Sequence, residues 1–150
     1  MPTWWMSGTL STENPMGTNY YLRENVCEAC DRFDELHIGK SSAGWCFTLH
    51  VDSELGINDL PDWAERWSKS NCRIRDEYGK TLSQEDMLLV ITARHWDNTK
   101  KWWTGYADEA DFHRQNHSEN GPNGLLRHRL GQYCLKHGEG TWDCVPGEFS

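Results

Sequence analysis

The sequence contains no apolar run close to the ~20 residues that a membrane-spanning helix needs, and it lacks the charged start and apolar core of a signal peptide. It also lacks a basic excess, because 15 Lys and Arg stand against 23 Asp and Glu, for a formal net charge of −8. General nucleic-acid binders carry a basic patch, so the composition argues against that class. We therefore expect a cytoplasmic protein that contacts neither a membrane nor nucleic acid in general.

Signatures of common enzyme classes are also absent. There is no G-x-S-x-G nucleophile elbow, no dinucleotide fingerprint and no H-E-x-x-H motif. The zinc-deaminase pattern does not fit, because the Cys pair precedes His37 and no Glu follows that His at the required position. A P-loop at Gly39 is excluded, because the motif needs a Gly where this chain has Asp34. We expect no catalytic residues, and a zinc-dependent hydrolase of a phosphorylated or nucleotide substrate stays open as an alternative.

What the sequence does contain is a concentration of metal-binding residue types in Cys27–His50. Cys27 and Cys30 have the C-x2-C spacing with which two thiolates reach one tetrahedral zinc ion, and His37 follows as a third donor. The candidates for the fourth ligand are His50, Cys46 and Cys144. The predicted ligand set of a structural zinc site is Cys27, Cys30, His37 and His50. Ordinary reduced thiols, a redox pair and a disulfide are the alternatives.

The segment Gly44–Val51 predicts a strand, because aromatic and β-branched residues stand between turn residues. Side chains alternate along a strand, so its residues divide into two sets. The apolar set, which we expect to face the core, is Trp45, Phe47 and Leu49. The other set, on the side where a metal can lie, is Cys46, Thr48 and His50.

A second candidate site would bind a nucleotide or another small anion. The polar turn predicted at Gly39–Ser42 offers backbone N–H groups, one Lys and two hydroxyls, although an ordinary hairpin connection has the same composition. A helix predicted over Leu125–His137 carries cations near its start, where they oppose the helix dipole unless an anion or an acidic neighbour lies there. An exposed Trp or Tyr would stack on a base. The predicted anion-binding residues are Lys40, Ser41, Ser42, Arg127 and His128.

The fold predicted from these patterns is α+β: a small antiparallel sheet with about three helices, built around a zinc-knuckle-like hairpin. Residues 1–15 are expected to be a disordered extension, and residues 16–150 a single domain. The predicted strands are Thr18–Glu24, Trp45–Asp52, Cys72–Arg75 and Thr141–Val145. The predicted helices are Asp59–Ser70, capped by Asp59, Ser83–Arg94, capped by Ser83, and Leu125–His137. The polar stretch His95–Asn120 is expected to be partly helical around Ala107–Gln115.

Several motifs are specific enough to suggest a family. They are Met16–Leu22, Cys27–Cys30, Leu36–Phe47, Asp76–Gly79, Gly121–His128 and Gly147–Ser150. Over roughly residues 16–150 the chain resembles a family of small tailed-phage and prophage proteins. The resemblance implies that the cytoplasm is that of an infected bacterial cell. Because no catalytic set is visible, we expect a non-enzymatic phage accessory protein with a structural zinc site that binds a host component, in host takeover or anti-defence. The acidic balance and the nine Trp favour a host protein as the partner.

Overall fold

The computed structural model describes residues 17–42, 45–93, 105–127, 134 and 136–149. Within them the chain forms three α-helices, a six-stranded mixed sheet and a two-stranded ribbon, which confirms the predicted α+β class. The strands are β1 (Thr18–Cys27), β2 (Arg32–Ser41), β3 (Phe47–Val51), β4 (Arg73–Asp76), β5 (Thr81–Leu82), β6 (Glu119–Asn120), β7 (Leu126–Arg127) and β8 (Trp142–Pro146). The helices are α1 (Leu60–Trp67), α2 (Gln84–Thr92) and α3 (Glu109–Gln115), with short 3-10 turns at Ser53–Leu55 and Pro122–Gly124.

The main sheet has the strand order β5-β4-β1-β2-β3-β8. Four of its neighbouring pairs are antiparallel, but β3 and β8 run parallel, so the expectation of a purely antiparallel sheet was wrong. The parallel pair arises because the chain returns to the sheet edge after α1, α2, α3 and the β6–β7 ribbon. Such a return is a crossover rather than a tight turn.

The first two strands form a long hairpin. The predicted strand Thr18–Glu24 continues to Cys27, the chain turns over residues 28–31, and Asp31 adopts a left-handed φ of 56°. Gly39, Lys40 and Ser41, which the sequence predicted to be a turn, lie inside β2 and pair with the start of β1. That prediction was wrong, and a zinc-knuckle hairpin is not what the structure shows.

The larger hydrophobic core of the described residues lies between one face of the sheet and the first two helices. Its buried members are Leu22, Ile38, Phe47, Leu49, Ile57, Leu60, Trp63, Trp67, Ile74, Met87 and Ile91. Phe47 and Leu49 face this core, as predicted, so Thr48 and His50 lie on the opposite face of the sheet. The sheet therefore has one face that packs against helices and one face that presents polar side chains.

The two predicted helices in the middle of the chain are confirmed, each a few residues shorter than expected. Asp59 caps α1 by accepting the N–H of Leu60, and Ser83 caps α2 by accepting the N–H of Asp86. The helix predicted over Leu125–His137 does not begin there, because Leu126 and Arg127 form β7; residues 128–133 lie outside the described part. The expected N-terminal extension also lies outside it.

Candidate functional site

The face of the main sheet opposite α1 and α2, here called the polar face, carries the chemically active side chains. Leu22 and Ile74 point into the core, so their neighbours along β1 and β4 point the other way. The side chains of the polar face that matter below are Asn19, Tyr21, Arg23, Phe33, Glu35, His37, Lys40, His50, Arg73 and Arg75. Two cavities formed by the described residues open on this face, one beside Arg23 and the other beside Tyr21.

The first, here called the arginine cavity, has a volume of about 390 Å³. It is lined by Arg23, Val26, Asp31, Phe33, Arg73, Arg75 and Thr81. Arg23 and Arg73 are direct cross-strand partners on β1 and β4, and Arg75 lies two residues further along β4 on the same face. Strand pairing thus brings three guanidinium groups to one cavity.

The arginine ion pairs are exposed. Arg23 meets Glu35 at 3.2 Å and lies 4.0 Å over the Phe33 ring. Arg73 meets Glu28 at 3.1 Å, and the Glu28 side chain is 83% exposed. Exposed ion pairs contribute only about 0–1 kcal/mol, so an incoming anion can replace these carboxylates at little cost.

Arg75 is only partly satisfied. One of its terminal nitrogens donates to the carbonyl of Gly79 at 2.8 Å, but its Nε is buried and has no hydrogen-bond partner among the described residues. Buried polar atoms are nearly always paired, so Arg75 has hydrogen-bonding capacity that its neighbours in the described chain do not use.

The second, here called the histidine cavity, has a volume of about 520 Å³ and is lined by Tyr21, His37, His50, Glu148 and Phe149. The Nδ1 atoms of His37 and His50 are 3.3 Å apart. The Phe149 ring lies against both imidazoles, with centroid distances of 4.8 Å to His37 and 5.2 Å to His50. Phe149, which follows β8, therefore forms an apolar wall beside the two rings.

Hydrogen bonding assigns the tautomer of His37. Its Nε2 lies 2.8 Å from Oδ1 of Asn19, which can only accept, so the Nε2 proton is donated there. The Asn19 amide is itself oriented by Glu77, whose Oε1 accepts from the Asn19 backbone N–H at 2.7 Å and from its side-chain nitrogen at 3.4 Å. The Nδ1 of neutral His37 consequently carries a lone pair that faces His50.

His37 and the neighbouring Tyr21 are both held neutral. Burial, followed by the charges of His50 and Lys40, lowers the pKa of His37 to about 4. Burial also raises the pKa of Tyr21, with further contributions from Glu77 and Glu35. Near neutral pH the cavity therefore presents an uncharged imidazole and an uncharged phenol.

The structure does not bring the four predicted zinc ligands together. Cys27 ends β1 opposite Arg32, whereas His37 is five residues further along β2, a distance of about 17 Å on an extended strand. Among the described residues, no group of three or more His, Cys, Asp or Glu is arranged to hold a metal ion. The predicted zinc ligands lie far apart because the chain between Cys30 and His37 is extended rather than folded back on itself.

Cys27 and Cys30 stay together at the hairpin turn. The thiol of Cys30, followed by the N–H groups of Cys30 and Ala29, lowers the pKa of Cys27 by hydrogen bonding. The other two candidate ligands lie elsewhere. Cys46 is buried with its Sγ 3.1 Å from that of Cys134, and Cys144 donates to Asp59 at 3.5 Å.

The predicted anion-binding residues are also distributed. Lys40 lies on the polar face and is close enough to His37 to lower its pKa, while Ser41 pairs with Thr18 in the sheet and Ser42 follows β2. Arg127 meets Asp143 at 3.1 Å, which supports the acidic-neighbour alternative for this cation. His128 lies outside the described residues.

Sequence reasoning missed the three arginines of the arginine cavity. Their signal was weak but present: Arg73 and Arg75 flank an isoleucine, which is the alternation of a strand with one apolar and one polar face. What the sequence did not reveal is that β1 would pair beside β4 and place Arg23 opposite Arg73.

Comparison of the chain with protein-family models, curated proteins and solved structures gave no match. In the part of the chain that the structure describes, no helix has the length and apolar character needed to cross a membrane.

Proposed function

We propose that this protein binds a small anionic ligand with a flat ring, of the nucleotide class, in the arginine cavity. The observation that carries the proposal is the convergence of Arg23, Arg73 and Arg75 on one cavity, where the Nε of Arg75 has no partner in the described chain. Guanidinium groups match the planar, bidentate geometry of phosphate oxygens. The cavity volume of about 390 Å³ falls in the range of small-molecule sites.

Phe33 supplies the ring specificity of the proposed site. Its side chain is 40% exposed and borders the same cavity, with the Arg23 guanidinium over its ring. Base–aromatic stacking contributes about 1–3 kcal/mol per base. A ligand with both a phosphate and a base would therefore contact both the arginines and Phe33, whereas inorganic phosphate would contact only the arginines.

The resemblance to tailed-phage proteins supplies the setting of the proposal. An accessory protein made during infection that binds a small anionic host component would act by withholding it, in host takeover or anti-defence. A host protein as the partner is the competing proposal. That proposal predicts that the protein uses an exposed surface rather than a cavity, and that it does not bind nucleotides.

Isothermal titration calorimetry tests the proposal with nucleoside mono- and triphosphates, the matching nucleosides and inorganic phosphate. We expect at least one nucleotide to bind, and its nucleoside and free phosphate to bind more weakly. Binding without turnover, checked by chromatography of the recovered nucleotide, separates a binder from the zinc-dependent hydrolase considered above.

Arg73→Gln and Arg75→Gln should each weaken binding about 10- to 100-fold, the range expected for a lost hydrogen bond to a charged group. Arg32→Gln is the matched control, because Arg32 is exposed and does not line the cavity. Phe33→Ala should weaken the nucleotide but leave phosphate unchanged. The proposal is wrong if no nucleotide binds at millimolar concentration, or if Arg75→Gln binds like the unaltered protein.

A further inference from the structure

The two cysteines of the β1–β2 turn carry a second inference that does not depend on the proposed nucleotide site. We propose that Cys27 and Cys30 form a thiol–disulfide exchange site, in which Cys27 attacks a low-molecular-weight disulfide and Cys30 completes an internal disulfide across the turn. Disulfides of cytosolic proteins are usually transient and catalytic or redox-sensing, so such a pair would pass between its two states rather than staple the fold.

The turn holds the two cysteines at a separation that a disulfide can span. The N–H groups of Cys30 and Asp31 both donate to the carbonyl of Cys27, at 3.3 and 2.8 Å. A turn of this kind keeps its first and fourth Cα atoms within about 7 Å, and disulfides join Cα atoms about 4.4–6.8 Å apart. The Cys30 thiol also forms a hydrogen bond with the Cys27 side chain, so the two sulfurs already face each other.

The neighbouring strands fix both ends of the turn. Cys27 is the cross-strand partner of Arg32, which begins β2. The N–H of Val26 donates to the carbonyl of Asn71 at 3.0 Å, which holds the end of β1 against the chain before β4. Forming and breaking the disulfide therefore requires rotation of two side chains and no rearrangement of the sheet.

Cys27 has the surroundings of an attacking thiolate. Hydrogen bonds from the Cys30 thiol, and then from the N–H groups of Cys30 and Ala29, lower the pKa of Cys27. The thiolate is the nucleophilic form, so these hydrogen bonds increase the reactive fraction near neutral pH. Glu28, which lies between the two cysteines, pairs with Arg73 at 3.1 Å, and this offsets its repulsion of an anionic sulfur.

The other four cysteines lack this combination of access and activation. Cys46 and Cys134 are buried, whereas Cys30 is exposed and Cys27 is half-buried. Burial raises the pKa of Cys72, and it raises the pKa of Cys144 to about 12. Cysteine reactivity follows thiolate character and exposure, so we expect exchange at the turn before any other position.

Oxidised glutathione is the probe for the test, and exchange with it has two steps. The Cys27 thiolate attacks one glutathione sulfur, the S–S bond of the probe breaks, and one glutathione thiolate leaves as a mixed disulfide forms on Cys27. Cys30 then loses its proton and attacks the Cys27 sulfur, which releases the second glutathione thiolate. The protein loses two protons and two electrons in total, and the probe gains them as two thiols.

Mass spectrometry of the full chain measures the reaction. The protein is reduced, desalted, incubated near neutral pH with glutathione buffers of increasing oxidised fraction, and quenched with acid. We expect the loss of two hydrogen masses, a peptide that contains the Cys27–Cys30 linkage, and full reversal by dithiothreitol. A pair that stays reduced in oxidised glutathione alone, or that carries only mixed disulfides, overturns the proposal.

Single variants separate the roles of the two cysteines. Cys30→Ser should stop at a mixed disulfide on Cys27, whereas Cys27→Ser should form one on Cys30 about five- to tenfold more slowly, because the activated thiolate is missing. Cys72→Ser is the matched control and should react like the unaltered protein, since Cys72 is half-buried and its pKa is raised. Equal rates in the first two variants overturn the assignment of Cys27 as the attacking residue.

Alkylation of the unaltered protein gives a test that needs no variant. Labelling of Cys27 by iodoacetamide should reach half its maximal rate at a lower pH in the folded chain than in urea, because the turn supplies its hydrogen bonds only when folded. The same midpoint in both states overturns activation by the turn. Arg75→Gln should exchange normally, so failure at the cysteines and failure at the arginine cavity are separate results.

Discussion

Gly39 shows how one residue sets the geometry beside the histidines. A Cβ at this position would lie 2.5 Å from the Phe47 ring and closer still to the Thr48 carbonyl oxygen. The register of β1 against β2 also shifts here, because Tyr20 pairs with Gly39 while Tyr21 pairs with His37. A bulge that only glycine permits thus decides that His37 and Lys40 both face the polar side.

Gly39→Ala should destabilise the protein by at least about 2 kcal/mol, because the backbone of β3 cannot yield to the added methyl group. Urea unfolding followed by tryptophan fluorescence measures the loss. Gly138→Ala is the matched control: nothing lies within 4 Å of the corresponding Cβ, so we expect a change within about 0.5 kcal/mol. Equal stability of the two variants would contradict the close approach of β2 to β3.

At the same scale, part of the site could be predicted from the sequence. Alternation alone placed Phe47 and Leu49 in the core and put His50 on the other face, as the structure has it. The contact of His37 with Asn19 could not be predicted, because it depends on strand pairing across the bulge. Local spacing says which face a side chain takes, but not which neighbour it meets.

Among the elements, α1 and α2 were predictable, whereas β2 was not. Asp59 and Ser83 are capping residues followed by apolar periodicity, and both helices begin directly after them. The segment that forms β2 is rich in charge and ends in Gly39-Lys40-Ser41, a composition typical of turns. This segment is extended because β1 and β3 pair with it on either side. Its structure is therefore set by tertiary contacts rather than by its local sequence.

Asp59 joins two elements, and this makes its role measurable. Its Oδ1 accepts from Leu60 at 2.7 Å and from the Trp142 indole at 3.0 Å, which connects α1 to β8. Burial acts to raise the pKa of Asp59, but the hydrogen bonds from Trp142, Leu60 and Cys144 outweigh it, and the pKa is lowered. Asp59→Ala should therefore cost about 2–3 kcal/mol at pH 7, measured by urea unfolding.

The lowered pKa of Asp59 also predicts how the stability of the protein depends on pH. A carboxyl group whose folded pKa lies below its unfolded value stabilises the fold above the unfolded pKa, and that contribution is lost as the pH falls below about 4. Asp59→Asn keeps a capping oxygen without the charge, so its stability should fall less steeply than that of the unaltered protein over this range. Parallel pH profiles for the two proteins would contradict the assignment.

At the scale of the whole molecule, a second buried cluster joins distant parts of the chain. Cys46, Leu125 and Cys134 pack together, with Trp45 beside them. Cys46 and Cys134 are 88 residues apart in sequence, and their sulfurs are 3.1 Å apart. Their hydrogen bond, and then burial, raises the pKa of Cys46, so Cys46 is held as a thiol.

Diamide should convert this pair into a disulfide in the Cys27→Ser/Cys30→Ser background. The two thiols lose two protons and two electrons to the N=N bond of the reagent, which becomes a hydrazine. Peptide mapping should show Cys46 joined to Cys134, and the cross-link should raise stability by about 2–4 kcal/mol. The further change Cys46→Ser should abolish both effects; a different pairing would contradict the contact.

The composition of the whole chain does not predict the charge of an individual surface. A net charge of −8 argues against a basic patch, yet pairing of β1 with β4 gathers Arg23, Arg73 and Arg75 on one face. An average over the chain cannot show such a local concentration, because the concentration arises from strand order. The sequence patterns were therefore informative about the fold class and the first two helices, and much less about the cavities.

The parallel pairing of β3 with β8 has a consequence for how the protein is made. The edge of β3 leaves the ribosome long before its partner strand is synthesised, since Phe47 pairs with Trp142. Until then its unpaired N–H and C=O groups can recruit strands of other chains. Pairing so distant in sequence also slows folding. Low temperature and slow expression should therefore favour native over aggregated protein.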